Sequence, residues 1–175
     1  GEWDAAILDF VGVTPDRLPT VQPIGHLVGT LTPDAAAALG LSPAVKVFNG
    51  AHDQYCSALG AGAVNSGDML LATGTTWVVL GVTERPLYTD SYISPGIHPT
   101  TGRYGAMASL VSAGSALKWY RSVVGVDFKD LDAEAAARAA SATDLLFYPY
   151  LCGAGFPHGR PAARGTLIGL DLHHD

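Results

Sequence analysis

Two cysteines, Cys56 and Cys152, are all that 175 residues contain, and they lie far apart in apolar company. A disulfide framework or a cysteine-based metal centre needs more thiols at closer spacing, so both are expected as reduced core thiols of a cytoplasmic protein. Positive charge is also scarce: 10 Lys and Arg stand against 16 Asp and Glu, a net charge of -6, with no basic cluster. A nucleic-acid partner is thereby disfavoured. No apolar run is long enough to span a bilayer, because Gly, Thr or charged residues interrupt each one, and a membrane partner is not expected. The start, Gly1-Glu2-Trp3-Asp4, lacks the basic and long apolar segments of a signal peptide. The six histidines show no ligand spacing, and His173-His174 reads as a surface pair, so no protein-held metal is expected.

What the chain does have is Ala, Gly and Val, the composition of an α/β protein with buried sheet. The organising stretch is Val45 to Val79. An apolar run (Val45, Val47, Phe48) ends at Asn49-Gly50 and delivers Asp53 to the start of a helix. A joint with Gly60, Gly62 and Gly67 follows, and a second apolar run, Met69 to Ala72, breaks at Thr73-Gly74-Thr75-Thr76 and resumes as Trp77 to Leu80. That break reads as a hairpin tip whose backbone N–H groups and hydroxyls can be aimed at a phosphate. A lone carboxylate at a strand-to-helix corner beside such a turn suggests phosphoryl transfer, the acid orienting or deprotonating a hydroxyl.

Around this stretch the spacing predicts a short helix from Trp3 to Phe10 stopped by Gly12, and a short strand from Ile24 to Leu31. Thr32-Pro33-Asp34 opens a helix that Gly40 ends, and Val45–Phe48 is a strand. Downstream, Tyr88 to Thr101 reads as an irregular loop and Arg103 to Val111 as a third strand of the hairpin region. Ala113 to Val124 is a helix with Leu117, Tyr120 and Val124 on its apolar face, and Asp130 to Thr143 a second helix. Leu145 to Leu151 is a strand and Cys152 to Arg164 a Gly/Pro loop, in which Arg160 and Arg164 are expected in structural salt bridges.

Three segments resemble the FGGY family of carbohydrate kinases, which includes glycerol kinase and xylulokinase. They are GAHDQYCSALGAGAVNSGDMLLATGTT, SAGSALKWYRS (Ser112–Ser122) and FPHGRPAARGTLIGLDLHHD (Phe156–Asp175). The resemblance implies an α/β, actin-like ATPase (ribonuclease H-like) fold, here part of a two-domain sugar kinase. Residues 1–66 would close the first, substrate-binding domain, and 67–175 would open the second, nucleotide-binding one. It further implies ATP-dependent phosphorylation of a sugar or polyol, with Mg2+ carried on the ATP. Asp53 would be the catalytic base and, with Gln54, a substrate ligand. Gly74, Thr75, Thr76, Gly114 and Lys118 would contact nucleotide. On the residues alone the plainer readings stay open: a helix N-cap for Asp53, a surface amide for Gln54, an ordinary turn for Gly74-Thr75-Thr76, helix packing for Gly114 and a solvated cation for Lys118. The resemblance also implies that the chain is a fragment, inactive in isolation, because the N-terminal phosphate loop and the late adenosine-holding segment of the family are missing. A non-catalytic actin-like switch or scaffold is the competing reading. The sugar and the assembly, a homodimer among the options, are left open.

Overall fold

The computed structural model describes residues 1–138 and 145–172. The last residues expected in the second long helix, and His173-His174, lie outside them. The chain forms two compact units, Gly1–Cys56 and Ser57–Asp175.

In the first unit each helix is delimited by the residues that cap it. Helix α1 (Ala5–Val11) begins where the Asp4 carboxylate accepts from the Ile7 N–H, and ends where Gly12 takes a left-handed conformation. Strand β1 (Leu27–Thr30) is followed by α2 (Pro33–Leu39). The Thr32 hydroxyl accepts from the Ala35 N–H, Pro33 fits a first-turn position where no intrahelical donor is needed, and Gly40 closes α2 in the left-handed region. Strand β2 (Lys46–Phe48) pairs antiparallel with β1, Thr30 lying opposite Lys46 and Leu27 opposite Phe48. The ladder extends past β2, since the Asn49 amide N–H donates to the His26 carbonyl and Gly25 N–H to the Asn49 carbonyl. Helix α3 (Asp53–Gly60) then starts directly after this ribbon.

The second unit is built on a four-stranded antiparallel sheet in the order β3-β4-β6-β5. Its strands are β3 (Met69–Thr73), β4 (Trp77–Thr83), β5 (Ser94–Ile97) and β6 (Tyr104–Leu110). The central strand β4 carries Leu80 and Val82, two residues apart and so on one face, and both are fully buried. Helix α4 (Ala113–Val124) leaves the end of β6 and is followed by α5 (Phe128–Arg138). A last pair, β7 (Leu146–Tyr148) and β8 (Thr166–Ile168), is antiparallel and encloses a long loop.

Four expectations need correction. Strand β5 lies inside the stretch read as an irregular loop. Ser-Pro-Gly-Ile has no strand signature of its own, and it is a strand because it lies at the sheet edge against β6, where a proline is tolerated. Cys56 and Cys152 are exposed free thiols, not core residues, because Cys56 lies on the outer side of α3 and Cys152 in a surface turn. The face of α4 that packs inward is centred on Ala116, while Leu117, Tyr120 and Val124 are exposed. Among the described residues Arg160 and Arg164 make no salt bridge. Arg164 instead donates to the Pro161 and Ala163 carbonyls at 3.3 and 2.9 Å and ties its own loop together.

Two titratable groups brace the start of the second unit. The Asp68 carboxylate accepts from the Asn65 and Val64 N–H groups at 2.7 and 3.0 Å, and these bonds hold it below the ordinary carboxylate value. His98 is 2% exposed. Its Nδ1 accepts from the Thr100 N–H at 3.1 Å, and burial lowers its pKa from 6.5, opposed in part by a hydrogen bond to the Ala63 backbone. Both folded-state values are depressed, so the unfolded chain takes up these protons first as pH falls. The melting midpoint should therefore drop from about pH 6.5 downward, and again below the ordinary carboxylate range. A His98→Gln variant should lose the first step and keep the second. A wild-type midpoint flat across the first window would contradict this.

Candidate functional site

Two clusters contain the residues expected to carry chemistry, one in each unit. The first is the N-terminus of α3. The ribbon ends at Asn49-Gly50, and the His52 carbonyl accepts from the Tyr55 and Cys56 N–H groups, both at 3.0 Å, so His52 occupies the N-cap position and Asp53 is the first helical residue. Asp53 is thus not the N-cap itself. Its side chain is 82% exposed, and Oδ1 accepts from the Gln54 N–H at 2.7 Å and lies 3.1 Å from His52 Nδ1. Gln54 is partly buried, and its Oε1 is shielded from solvent with no partner among the described residues, so it is not the solvated surface amide of the plainer reading. Beneath them Tyr55 is 4% exposed, and burial raises its pKa.

The second cluster is the β3–β4 tip seated on α4. Thr73 pairs with Trp77, so Gly74, Thr75 and Thr76 form a three-residue loop. The Thr75 carbonyl accepts from the Ser115 N–H at 3.0 Å, and the Thr76 hydroxyl donates to the Val111 carbonyl at 3.2 Å. Gly114 lies directly under the Gly74 carbonyl, and a Cβ built there would overlap that oxygen and sit 2.9 Å from the Gly74 carbonyl carbon. Packing therefore accounts for Gly114 by itself. Gly74 is different: its φ is not left-handed, and an added Cβ would meet nothing closer than the Thr76 oxygen at 3.6 Å. No side chain caps the N-terminus of α4, since the Ser112 hydroxyl is turned to the Pro149 carbonyl. With the Thr76 hydroxyl proton committed, the Thr75 hydroxyl is the one at the tip without a partner among the described residues. Lys118, one turn into α4, lines an open cleft of about 590 Å³ together with Ser115, Trp119, Arg121, Ser122 and Asp127.

The structure thus brings Gly74, Thr75, Thr76 and Gly114 into contact and puts Lys118 on the same helix, while Asp53 and Gln54 are neighbours in the other unit. Sequence reasoning passed over His52 and Ser112. His52 carries a signal in its place beside Asp53. Ser112 carries none, as its partner is 37 residues away.

Known proteins match over both clusters. The pattern of the FGGY family of carbohydrate kinases, N-terminal domain, matches residues 1–60, and that of the family's C-terminal domain matches residues 69–175. The chain belongs to the FGGY family. Xylulose kinase of Bacillus subtilis is 32% identical over 177 residues, which is 99% of this chain and 36% of that protein. Gluconokinase of the same organism is 28% identical over 186 residues, again 99% of this chain and 36% of the relative. The crystal structure of a xyloylose kinase from Brucella ovis superposes with a TM-score of 0.91 at 29% identity, covering 99% of this chain and 36% of that one. The FGGY chain described here therefore spans about a third of the length of such relatives, and its fold is part of the actin-like ATPase fold of these sugar kinases. No helix among the described residues is long and apolar enough to cross a membrane.

Proposed function

We propose that the full-length protein containing this chain transfers the γ-phosphate of ATP to a hydroxyl of a sugar or polyol, in the cytoplasm. The observation that carries this reading is the β3–β4 tip docked on the N-terminus of α4, which no side chain caps. The tip has room beside Gly74 and a Thr75 hydroxyl without a partner among the described residues, which together could cradle an anion. Such a cradle suits a triphosphate, and Gly74, Thr75, Thr76 and Gly114 would hold it, with Lys118 reaching the nucleotide from the adjoining cleft. ATP supplies the phosphoryl group, and Mg2+ bound to it supplies charge neutralisation. In this reading Mg2+ arrives on the triphosphate.

Asp53 orients the acceptor hydroxyl and takes its proton as the oxygen bonds to the γ-phosphorus, while the bond from that phosphorus to ADP breaks and leaves its electron pair on ADP. Gln54, the next residue, is the second substrate ligand in this reading. In the same reading residues 1–66 belong to the substrate-binding domain and 67–175 to the nucleotide-binding one.

The test is ADP release by the full-length protein across sugars and polyols, headed by xylulose and gluconate, with nucleotide binding measured in parallel. Turnover stimulated by one of them is the expected result. Nucleotide binding that no acceptor converts to turnover would favour a nucleotide-dependent switch instead.

A further inference from the structure

The β3–β4 tip carries two neighbouring threonines whose hydroxyls are used differently. Thr76 is half-buried, and its hydroxyl donates to the Val111 carbonyl at 3.2 Å, across 35 positions of sequence. A hydroxyl has one proton, and an ionised triphosphate offers acceptors only. While Thr76 holds Val111 it therefore has nothing to give a phosphate oxygen. Thr75 is exposed, and among the described residues its hydroxyl proton is uncommitted.

The Thr76 bond has a mechanical consequence. The Val111 carbonyl lies at the corner between β6 and α4. That corner is itself fixed, since the adjoining Ser112 is 5% exposed and donates its hydroxyl to the Pro149 carbonyl. One residue before Thr76, the Thr75 carbonyl accepts from the Ser115 N–H at 3.0 Å. The tip thus gives one hydrogen bond and takes one, on consecutive residues, at the start of α4. One bond would leave the turn free to pivot. Two bonds, with the Gly74 carbonyl against Gly114, fix its direction as well as its place. A turn already fixed loses less freedom when a ligand binds.

We infer that Thr76 is a positioning residue for nucleotide binding: by donating to the Val111 carbonyl it pins the Gly74–Thr76 turn on the N-terminus of α4, and leaves Thr75 as the hydroxyl that reaches phosphate. Thr76 helps to hold the triphosphate only through the turn. The inference rests on the reading of this turn as a nucleotide site.

A double-mutant cycle in the full-length protein tests it, read by titration with ADP and by steady-state kinetics. Thr76→Val keeps the branched shape and removes the donor, Thr76→Ser keeps the donor, and Thr75→Val removes the uncommitted hydroxyl. Thr76→Val should weaken ADP binding and raise the KM for ATP about tenfold, the scale of one hydrogen bond, with the acceptor KM within about twofold of wild type. Thr76→Ser should recover most of that loss. In the Thr75→Val background, Thr76→Val should cost less than about threefold, because the hydroxyl it positions is already gone. Fully additive losses would overturn the inference, since they mark two independent contacts. So would a lower kcat with the KM for ATP unchanged, the result of a smaller folded fraction. If Thr75→Val weakens ADP binding and Thr76→Val does not, only the positioning role falls. If neither changes it, the turn is not the nucleotide site, and the reading falls with the inference.

Discussion

Asp53→Asn should lower kcat by about a hundredfold to ten-thousandfold, the range that a positioned general base contributes, and should leave nucleotide affinity as it was. The substitution keeps the shape of the side chain and removes its capacity to take a proton. Its structural cost should be small. The side chain is 82% exposed and accepts one hydrogen bond, from the neighbouring Gln54 N–H, which an asparagine oxygen can also accept. A melting midpoint close to wild type would therefore accompany the loss of turnover. Steady-state ADP release, nucleotide titration and a thermal melt on one preparation give all three readings. Near-normal turnover would remove Asp53 from the chemistry. Loss of turnover together with loss of nucleotide binding would point to a folding defect instead.

Gly114→Ala should be a damaging single-methyl change in the second unit. The new Cβ would meet backbone, the carbonyl carbon and oxygen of Gly74, so no side chain can swing away to make room. Either the β3–β4 tip lifts or α4 retreats, and each movement breaks the Ser115 N–H to Thr75 carbonyl bond. Overpacking of this kind costs about 1–3 kcal/mol. A displaced tip should weaken nucleotide binding by about tenfold or more, since 1.4 kcal/mol of lost contact is enough. Gly74→Ala is the control, because the fold has room for that methyl and the backbone has no left-handed φ to strain. It should melt like wild type. If it nonetheless loses nucleotide affinity, the cause is the close approach of a ligand to that turn. Normal nucleotide affinity and stability in Gly114→Ala would refute the packing account.

These two predictions differ in how much of their basis could be read without coordinates. The helix starts at Thr32-Pro33 and stops at Gly12 and Gly40 were legible because capping is settled within four or five residues. The Gly74–Thr76 tip was legible for the same reason: two apolar runs flank three small residues, and no distant partner is needed to specify a turn. What was illegible depended on distance along the chain. Strand β5 exists only through β6, and β8 only through β7, which lies 18 or more positions upstream along the register. Gly114 could be recognised by motif, but its physical reason, the Gly74 carbonyl 40 positions earlier, could not. The expected burial of Cys56 and Cys152 failed because apolar neighbours in sequence do not say which side of a helix or turn a residue occupies. Asp53 was visible as a charge at a helix start, whereas the convergence of His52 and Gln54 on one of its oxygens is a matter of side-chain geometry.

The order of the four-stranded sheet makes its two borders unequal. On one border β5 carries Pro95 and Gly96, so it withholds an amide donor and offers little side-chain surface, which makes it a poor template for a foreign strand. On the other border β3 has neither proline nor charge after Asp68, and its Met69 and Leu71 are exposed. Adhesion of this sheet to anything else has a direction built in: it would begin at β3, and the hairpin tip that β3 leads into would be the first functional part to be buried by it.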